Sequence, residues 1–188
     1  MLPGECYLLL HEVRLRGLVE VAESETVVQL LDAGWVKRVR SSVAISPEGR
    51  DVHKTWARLE QGSATEAVAQ RGYERFLPLN TELIRICHDW QVQPGNVPNE
   101  HKDVRYDWEV IDRLRTLDER AAPVVRRVGR DIERFDRYAS RLRSALKRVE
   151  DGEQEWFTSP RIDSYHTVWM QLHEDLLLAL GLERTDET

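Results

Sequence analysis

The sequence predicts a mainly α-helical protein with one small β-hairpin near its amino terminus. Between Val36 and Ile45, two short segments alternate apolar and polar residues around a polar turn, as expected of half-buried strands. Beyond the first third of the chain, apolar residues recur at helical spacing, interrupted mainly by the Pro- and Gly-containing stretch 92–98. We therefore expect a small first domain over residues 1–62 and an antiparallel helical bundle over residues 63–188.

Helix-ending and helix-starting signals flank the hairpin. Gly34 follows a helix predicted from about Ser24 to Ala33, and glycine readily takes the left-handed backbone that ends a helix. Ser46 is a good N-cap residue, and Pro47 fits the first position of a following helix. That next helix is predicted to bury three apolar residues: Val52, Trp56 and Leu59.

These segments, with the residue runs LLDAGWVKRV and VAISPEGR, resemble the winged-helix transcription regulators of the MarR type over roughly residues 5–60. The resemblance implies double-stranded DNA as a partner, with the hairpin serving as the wing. The cations of the wing, Lys37, Arg38 and Arg40, would touch phosphates, which position a protein on DNA without reading its sequence. Gln29, on the helix before the wing, would approach the bases, because glutamine can pair with adenine.

The same region departs from a typical DNA-binding module in two respects. Residues 1–62 contain eight Lys and Arg against nine Asp and Glu, and the candidate reading helix has no cation of its own. Only 16 residues separate Gly17 from Gly34, enough for the short extended piece Leu18–Val21 and one helix. The domain is therefore predicted to be a trimmed winged helix, whose basic wing is either a phosphate contact or a solvated, charged strand edge.

Residues 110–149 show the clearest periodicity of the chain. Two heptad positions are apolar or aromatic at eleven of twelve places, which predicts an amphipathic helix pair or one long kinked helix. This stripe would form either the core of a bundle or a coiled coil between the chains of a homodimer. Pro78 is predicted to restart one helix, and Pro123 to kink another or to open a new one. The positions are Val110, Leu114, Leu117, Ala121, Val124, Val128, Asp131, Phe135, Tyr138, Leu142, Ala145 and Val149.

Polar and aromatic residues are concentrated in the helical part. A final helix is predicted to begin near Ser159, which would cap it. Histidine, aspartate and aromatic residues next to one another would either line a pocket for a small-molecule effector or form internal hydrogen bonds that hold an irregular loop on the bundle. The candidate pocket residues are His88, His101, Tyr106, His166 and Trp169.

Three phrases of the helical part, HDWQ, NEHKDVRYDWEVIDRL and SYHTVWMQLHEDLLLALGL, are similar to those of uncharacterised actinobacterial proteins labelled transcriptional regulators. This resemblance extends over nearly the whole chain. It implies a regulatory function and brings no substrate or catalytic residue with it.

No catalytic motif, cofactor motif or metal-ligand spacing is recognisable in the sequence. Cys6 and Cys87 indicate no disulfide framework, and no apolar run approaches the roughly 20 residues that cross a bilayer, so a cytoplasmic protein is expected. With a net charge of −6, the chain is not a general nucleic-acid coat. We predict a DNA-binding transcriptional regulator with a dimerising or ligand-sensing helical domain. The alternative is a scaffold or unrecognised enzyme that retains the wing for packing.

Overall fold

A computed structural model describes residues 4–183, which form a mainly α-helical fold with a small antiparallel sheet. The chain divides into two compact units. One contains the described residues up to Ser63 together with those from His173 onward, and the other is Ala64–Leu172. In order, the elements are α1 (Gly4–Arg16), β1 (Leu18–Glu20), α2 (Glu25–Asp32), β2 (Val36–Val39), β3 (Ser42–Ile45), α3 (Pro47–Ala57), α4 (Ala64–Gln91), β4 (Val92–Gln93), β5 (Val97–Pro98), α5 (Val104–Asp131), a 3-10 turn (Glu133–Phe135), α6 (Asp136–Glu150), α7 (Glu155–Thr158) and α8 (Tyr165–Leu180).

The local signals around the hairpin are confirmed. The Ser24 hydroxyl accepts a hydrogen bond from the Val27 N–H at the start of α2, and Gly34 has the left-handed φ of +71° after its end. The Ser46 hydroxyl accepts from the Gly49 N–H at the start of α3. Gly49 is required there by space, because a Cβ would lie 2.0 Å from the carbonyl oxygen of Trp35.

The first unit builds its core between helices α1 and α2 and one face of the sheet. The strands are all antiparallel in the order β1-β3-β2, so β1 extends the hairpin by a third strand. The helix α3 differs from its prediction: its buried residues are Gly49, His53 and Ala57, whereas Val52, Trp56 and Leu59 are only half-buried. The buried apolar cluster consists of Cys6, Leu10, Val13, Val27, Leu30, Val36, Val43 and Ile45.

In the second unit, α4, α5 and α6 form an antiparallel bundle. Arg113 pairs with Asp89 at one end of the α4–α5 pair, and Val128 meets Gly72 at the other. The twelve predicted heptad positions supply this bundle: ten are buried within the chain, Val124 is half-buried and Asp131 is exposed. Because the stripe is covered by the chain's own helices, it is not available as the seam of an intermolecular coiled coil.

Neither proline interrupts its helix, so the predicted restart at Pro78 and the predicted new helix at Pro123 were wrong. Helix α4 runs unbroken through Pro78, and α5 runs unbroken through Pro123. Both prolines are exposed, so their rings face solvent, and the packing of the two helices on each other outweighs one lost backbone hydrogen bond. The break comes instead at Ile132, where Gly129 allows the chain to turn into α6: a Cβ there would lie 2.7 Å from the Asp136 Cα.

The start of the last helix also differs from the prediction. Helix α8 begins at Tyr165, and the hydroxyl that accepts from the Thr167 N–H belongs to Ser164 rather than Ser159. Ser159 instead accepts through its carbonyl from the Ser164 hydroxyl, which ties the preceding turn to the helix start. The unit boundary differs from the predicted 1–62 and 63–188, because the chain from His173 onward clusters with the amino-terminal segment. Within residues 4–183, no helix is long and apolar enough to cross a bilayer.

Candidate functional site

The hairpin of residues 36–45, which was predicted to serve as a wing and is called the wing below, carries three cations that do not lie on one surface. Successive side chains of β2 point to opposite faces of the sheet. Lys37 is in register with Ala44, whereas Arg38 is in register with the buried Val43. Arg38 donates to Glu23 at 2.5 Å, so its charge is compensated within the unit.

Arg40 occupies the tip of the wing. Its φ of +55° lies in the left-handed region, and strand pairing closes at Val39 and Ser42 on either side of a two-residue turn. This geometry holds an exposed guanidinium at the far end of the hairpin. Lys37 is exposed as well and contributes, after the helix-start N–H and the Ser46 hydroxyl, to lowering the pKa of Glu48. Lys37 and Arg40 are therefore the wing cations with the freest access to an outside anion.

The helix α2 presents an acidic surface. Its exposed residues include Glu25, Val28 and Asp32, and it carries no Lys or Arg. Gln29, the predicted base-reading residue, is half-buried: its amide donates to Glu25 at 3.1 Å, and its carbonyl accepts from the Cys6 thiol at 3.2 Å. Both the nitrogen and the oxygen of the Gln29 side-chain amide are thus hydrogen-bonded within the first unit.

In the helical unit, the polar residues between the first two helices are also engaged internally. The polar loop (residues 92–103) is anchored by Asn99, whose amide donates to the Trp90 carbonyl at 3.0 Å and to the buried Asp107 carboxylate at 2.8 Å. His101 has a left-handed φ of +55° and places its Nδ1 3.1 Å from both oxygens of Asp107. Gln93 donates to the Asn99 side-chain oxygen, which closes the network.

Aromatic contacts complete the anchoring of the polar loop. Trp90 is buried and lies between the His101 ring and the Phe157 ring, each with its centroid 4.3 Å away. The Tyr106 hydroxyl donates to the Asp89 carbonyl at 2.8 Å. These contacts agree with the second of the two interpretations left open by the sequence, namely aromatic and polar groups that fasten an irregular loop to the bundle.

An open groove of about 370 Å³ lies beside this loop. Its lining includes His88, Asp89, Tyr106 and Arg113 of the two long helices and the tip of the β4–β5 hairpin. His88 is mostly exposed, with its Nδ1 3.3 Å from Asp89. Burial alone would raise the pKa of the Asp89 carboxyl, but Arg113 and His88 hold that pKa below its usual value. The groove is polar and partly neutralised by its own ion pair.

The five predicted pocket residues do not converge on one cavity. Trp169 is fully buried, stacks on Phe76 at 4.7 Å and donates to the Asn80 side chain. Asn80 and Trp90, whose ring contacts that of His101, are ten residues apart on α4, about 15 Å along the helix axis. His166 is half-buried, and burial lowers its pKa. Trp169 is therefore part of the bundle core, away from the polar loop.

No local sequence pattern indicated a buried polar chain in the first unit. His11 places its Nε2 3.1 Å from Asp175 and its Nδ1 2.9 Å from the Nε2 of His53, and all three side chains are almost completely buried. His11 and Asp175 are 164 residues apart in the chain, so no local pattern joins them. Since the carboxylate and the second histidine lie at opposite nitrogens of one ring, they cannot hold a metal ion together with it.

The two cysteines are the next candidates for a reactive group. Both cysteines are unpaired thiols, and burial raises the pKa of Cys87 to about 12, which disfavours the nucleophilic thiolate. Among residues 4–183, no three histidine, cysteine or carboxylate side chains are grouped as metal ligands would be.

Comparison with protein-family models, with curated proteins and with solved structures finds no significant match to this chain. The functional assignment accordingly depends on the geometry of its own surfaces.

Proposed function

We propose that this protein is a transcriptional regulator of the winged-helix type that contacts double-stranded DNA through its wing. In this function the first unit is a trimmed, MarR-like winged helix, and the helical unit serves dimerisation or ligand sensing. The contact is made to phosphates by Lys37 and Arg40, so it positions the protein without reading the base sequence.

The observation that supports this function most is the position of Arg40 at the tip of an exposed hairpin. A guanidinium held there by a left-handed turn can approach a phosphate without any change in the unit's core. The element order also supports it, since a helix with a capping serine and a terminating glycine leads directly into the hairpin. DNA binding of this kind is predicted to be weak and steeply dependent on salt.

A second function, protein binding by the same unit, is favoured by the surface of α2. Its exposed carboxylates, Glu25 and Asp32, would be repelled by DNA phosphates, and Val28 between them is 46% exposed. A partner helix or loop with complementary cations would fit this surface better than a nucleic acid. In that case the wing would be a packing element with a charged rim.

Fluorescence anisotropy of a labelled mixed-sequence duplex, titrated with protein at several salt concentrations, tests the first function. Two phosphate contacts predict a slope of about −2 in log K against log salt. The variant Lys37→Ala/Arg40→Ala is expected to abolish most of the slope. A matched control, Arg105→Ala/Lys102→Ala, removes two exposed cations of the helical unit and should leave binding unchanged.

Neutralising the exposed carboxylates of α2 tests whether that helix approaches the DNA. If α2 approaches DNA, Glu25→Gln/Asp32→Asn should tighten duplex binding, because two repulsive charges are removed. If only the wing touches DNA, affinity should rise slightly and equally for any duplex. Absence of duplex binding at low salt by the unaltered protein would overturn the proposed function and favour protein binding.

A further inference from the structure

The helical unit has a second groove, between α4 and α5, that none of the predicted site residues line. Its volume is about 420 Å³, and its apolar floor consists of Val68, Gly72, Val124 and Val128. Three arginines, Arg71, Arg75 and Arg127, surround that floor. We refer to these seven residues as the arginine groove.

Helical spacing explains why these residues meet. Positions 68, 71, 72 and 75 follow the i, i+3, i+4, i+7 pattern and so lie on one face of α4. Positions 124, 127 and 128 lie on one face of α5 in the same way. The two faces approach closely at Gly72, where a Cβ would lie 2.4 Å from the Val128 Cγ2. The absence of a side chain at residue 72 thus brings two cationic helix faces together over a common floor.

The charges of the groove are incompletely balanced. Arg71 and Arg75 are exposed, one turn apart on the same face, an arrangement in which like charges repel. Neither forms an ion pair with any acid among residues 4–183; the nearby Glu74 is engaged by the Gln70 amide at 3.0 Å. Arg127 has one partner, Asp131, at 3.2 Å. Eight arginines of this unit outside the groove form ion pairs, at residues 105, 113, 115, 120, 130, 141, 143 and 148.

We propose that the arginine groove binds a small phosphorylated molecule. The planar fork of each guanidinium matches phosphate oxygens, and a phosphate group offers three strong acceptors to the several donors that converge here. The valine floor would take an apolar or flat portion of the same ligand, as in most small-molecule sites. This site is independent of the wing, which lies in the other unit, and of the groove beside the polar loop.

Isothermal titration of the full-length protein with inorganic pyrophosphate at low ionic strength tests the site. Removing two guanidiniums in Arg71→Ala/Arg75→Ala should weaken binding about tenfold or more. The control Arg85→Ala/Arg105→Ala removes the same charge from exposed positions outside the groove, Arg85 being on the same helix. It should bind pyrophosphate nearly as the unaltered protein does. The variant Arg71→Lys/Arg75→Lys keeps the charge but loses the planar guanidinium forks. Its affinity for pyrophosphate should fall between that of Arg71→Ala/Arg75→Ala and that of the control.

Four results would overturn the proposal: no binding by the unaltered protein at millimolar pyrophosphate, an equal loss in the control, no loss in Arg71→Ala/Arg75→Ala, or binding of the tricarboxylate tricarballylate as tight as that of pyrophosphate. Because the lysine variant preserves charge and helix propensity, it decides the case if the alanine variant is poorly folded. Lys37→Ala/Arg40→Ala should retain pyrophosphate binding, so failure of this site and failure of DNA binding by the wing are separate results.

Discussion

The wing and the polar loop are both short polar segments that connect longer elements. Their polar side chains nevertheless have opposite roles, because those of the wing face solvent and those of the polar loop face the interior of the fold. In the wing, Arg40 and Lys37 are directed into solvent at the end and on the outer face of a hairpin. In the polar loop, Asn99 and His101 are directed inward onto Asp107, and Trp90 is buried beneath them. A cluster of polar residues in a sequence therefore indicates a binding site only if its hydrogen bonds are not already made within the fold.

The largest effect expected from this comparison concerns Trp90. Replacing it with alanine removes a fully packed ring between His101 and Phe157, and should lower the free energy of unfolding by about 3–5 kcal/mol. Urea denaturation followed by circular dichroism measures the change. Trp108→Ala, at a position 42% exposed, is the control and should cost less than about 1 kcal/mol. Equal costs at the two positions would mean that Trp90 does not hold the loop.

The next effect concerns the carboxylate at the centre of the polar loop. Asp107→Asn keeps the shape but replaces an acceptor oxygen with a donor facing the Asn99 amide, and should cost about 2 kcal/mol of stability. Asp112→Asn, at an exposed position of the same helix, should change stability by less than about 0.5 kcal/mol. A polar loop that served ligand binding rather than anchoring would leave stability nearly unchanged in Asp107→Asn.

A smaller, pH-dependent effect belongs to His166. Burial lowers its pKa below the usual 6.5 in the folded protein, so the unfolded chain takes up the proton first as the pH falls. The stabilising contribution is present above pH 6.5 and is lost as the pH falls through the folded value. His166→Gln removes this pH-dependent contribution. The free energy of unfolding of the unaltered protein minus that of the variant should therefore decrease from about pH 8 to about pH 5. A difference that is constant with pH, in paired urea titrations, would contradict the assignment.

Much of the first unit could be predicted from the sequence because its signals are local. Ser24, Gly34 and Ser46 act within a few residues of where they stand, and the alternation of Val36 to Ile45 fixed the hairpin. The prolines misled the prediction, since Pro78 and Pro123 face solvent and helix packing decided the outcome. Their exposure depends on the tertiary arrangement, which no local pattern contains.

The candidate sites were harder to predict from the sequence than the elements of the first unit. The basic residues of the wing are adjacent in sequence, but strand alternation sends Arg38 to the other face and onto Glu23. That separation followed from the strand period and was available in the sequence. By contrast, the His11–His53–Asp175 chain and the meeting of Arg71 with Arg127 depend on which helices pack together. Only the helical spacing of Arg71 and Arg75 was a usable signal.

The smallest expected effect on stability is at the wing itself. Arg40→Ala removes an exposed side chain with no partner among residues 4–183 and should change the free energy of unfolding by less than about 0.5 kcal/mol. The same variant should reduce the salt slope of duplex binding by about 1. Loss of stability without a change in slope would reverse the comparison and make Arg40 a structural residue.

The most direct test of the contrast between the wing and the polar loop is the two-dimensional ¹⁵N–¹H spectrum of the labelled protein titrated with a short mixed-sequence duplex at low salt. We predict that backbone amide shifts change around Lys37, Arg40 and Ser42, and stay constant from residue 92 to residue 107. Changes concentrated in the polar loop, or no change on the wing at saturating duplex, would contradict the view that the wing is the free binding surface of this protein.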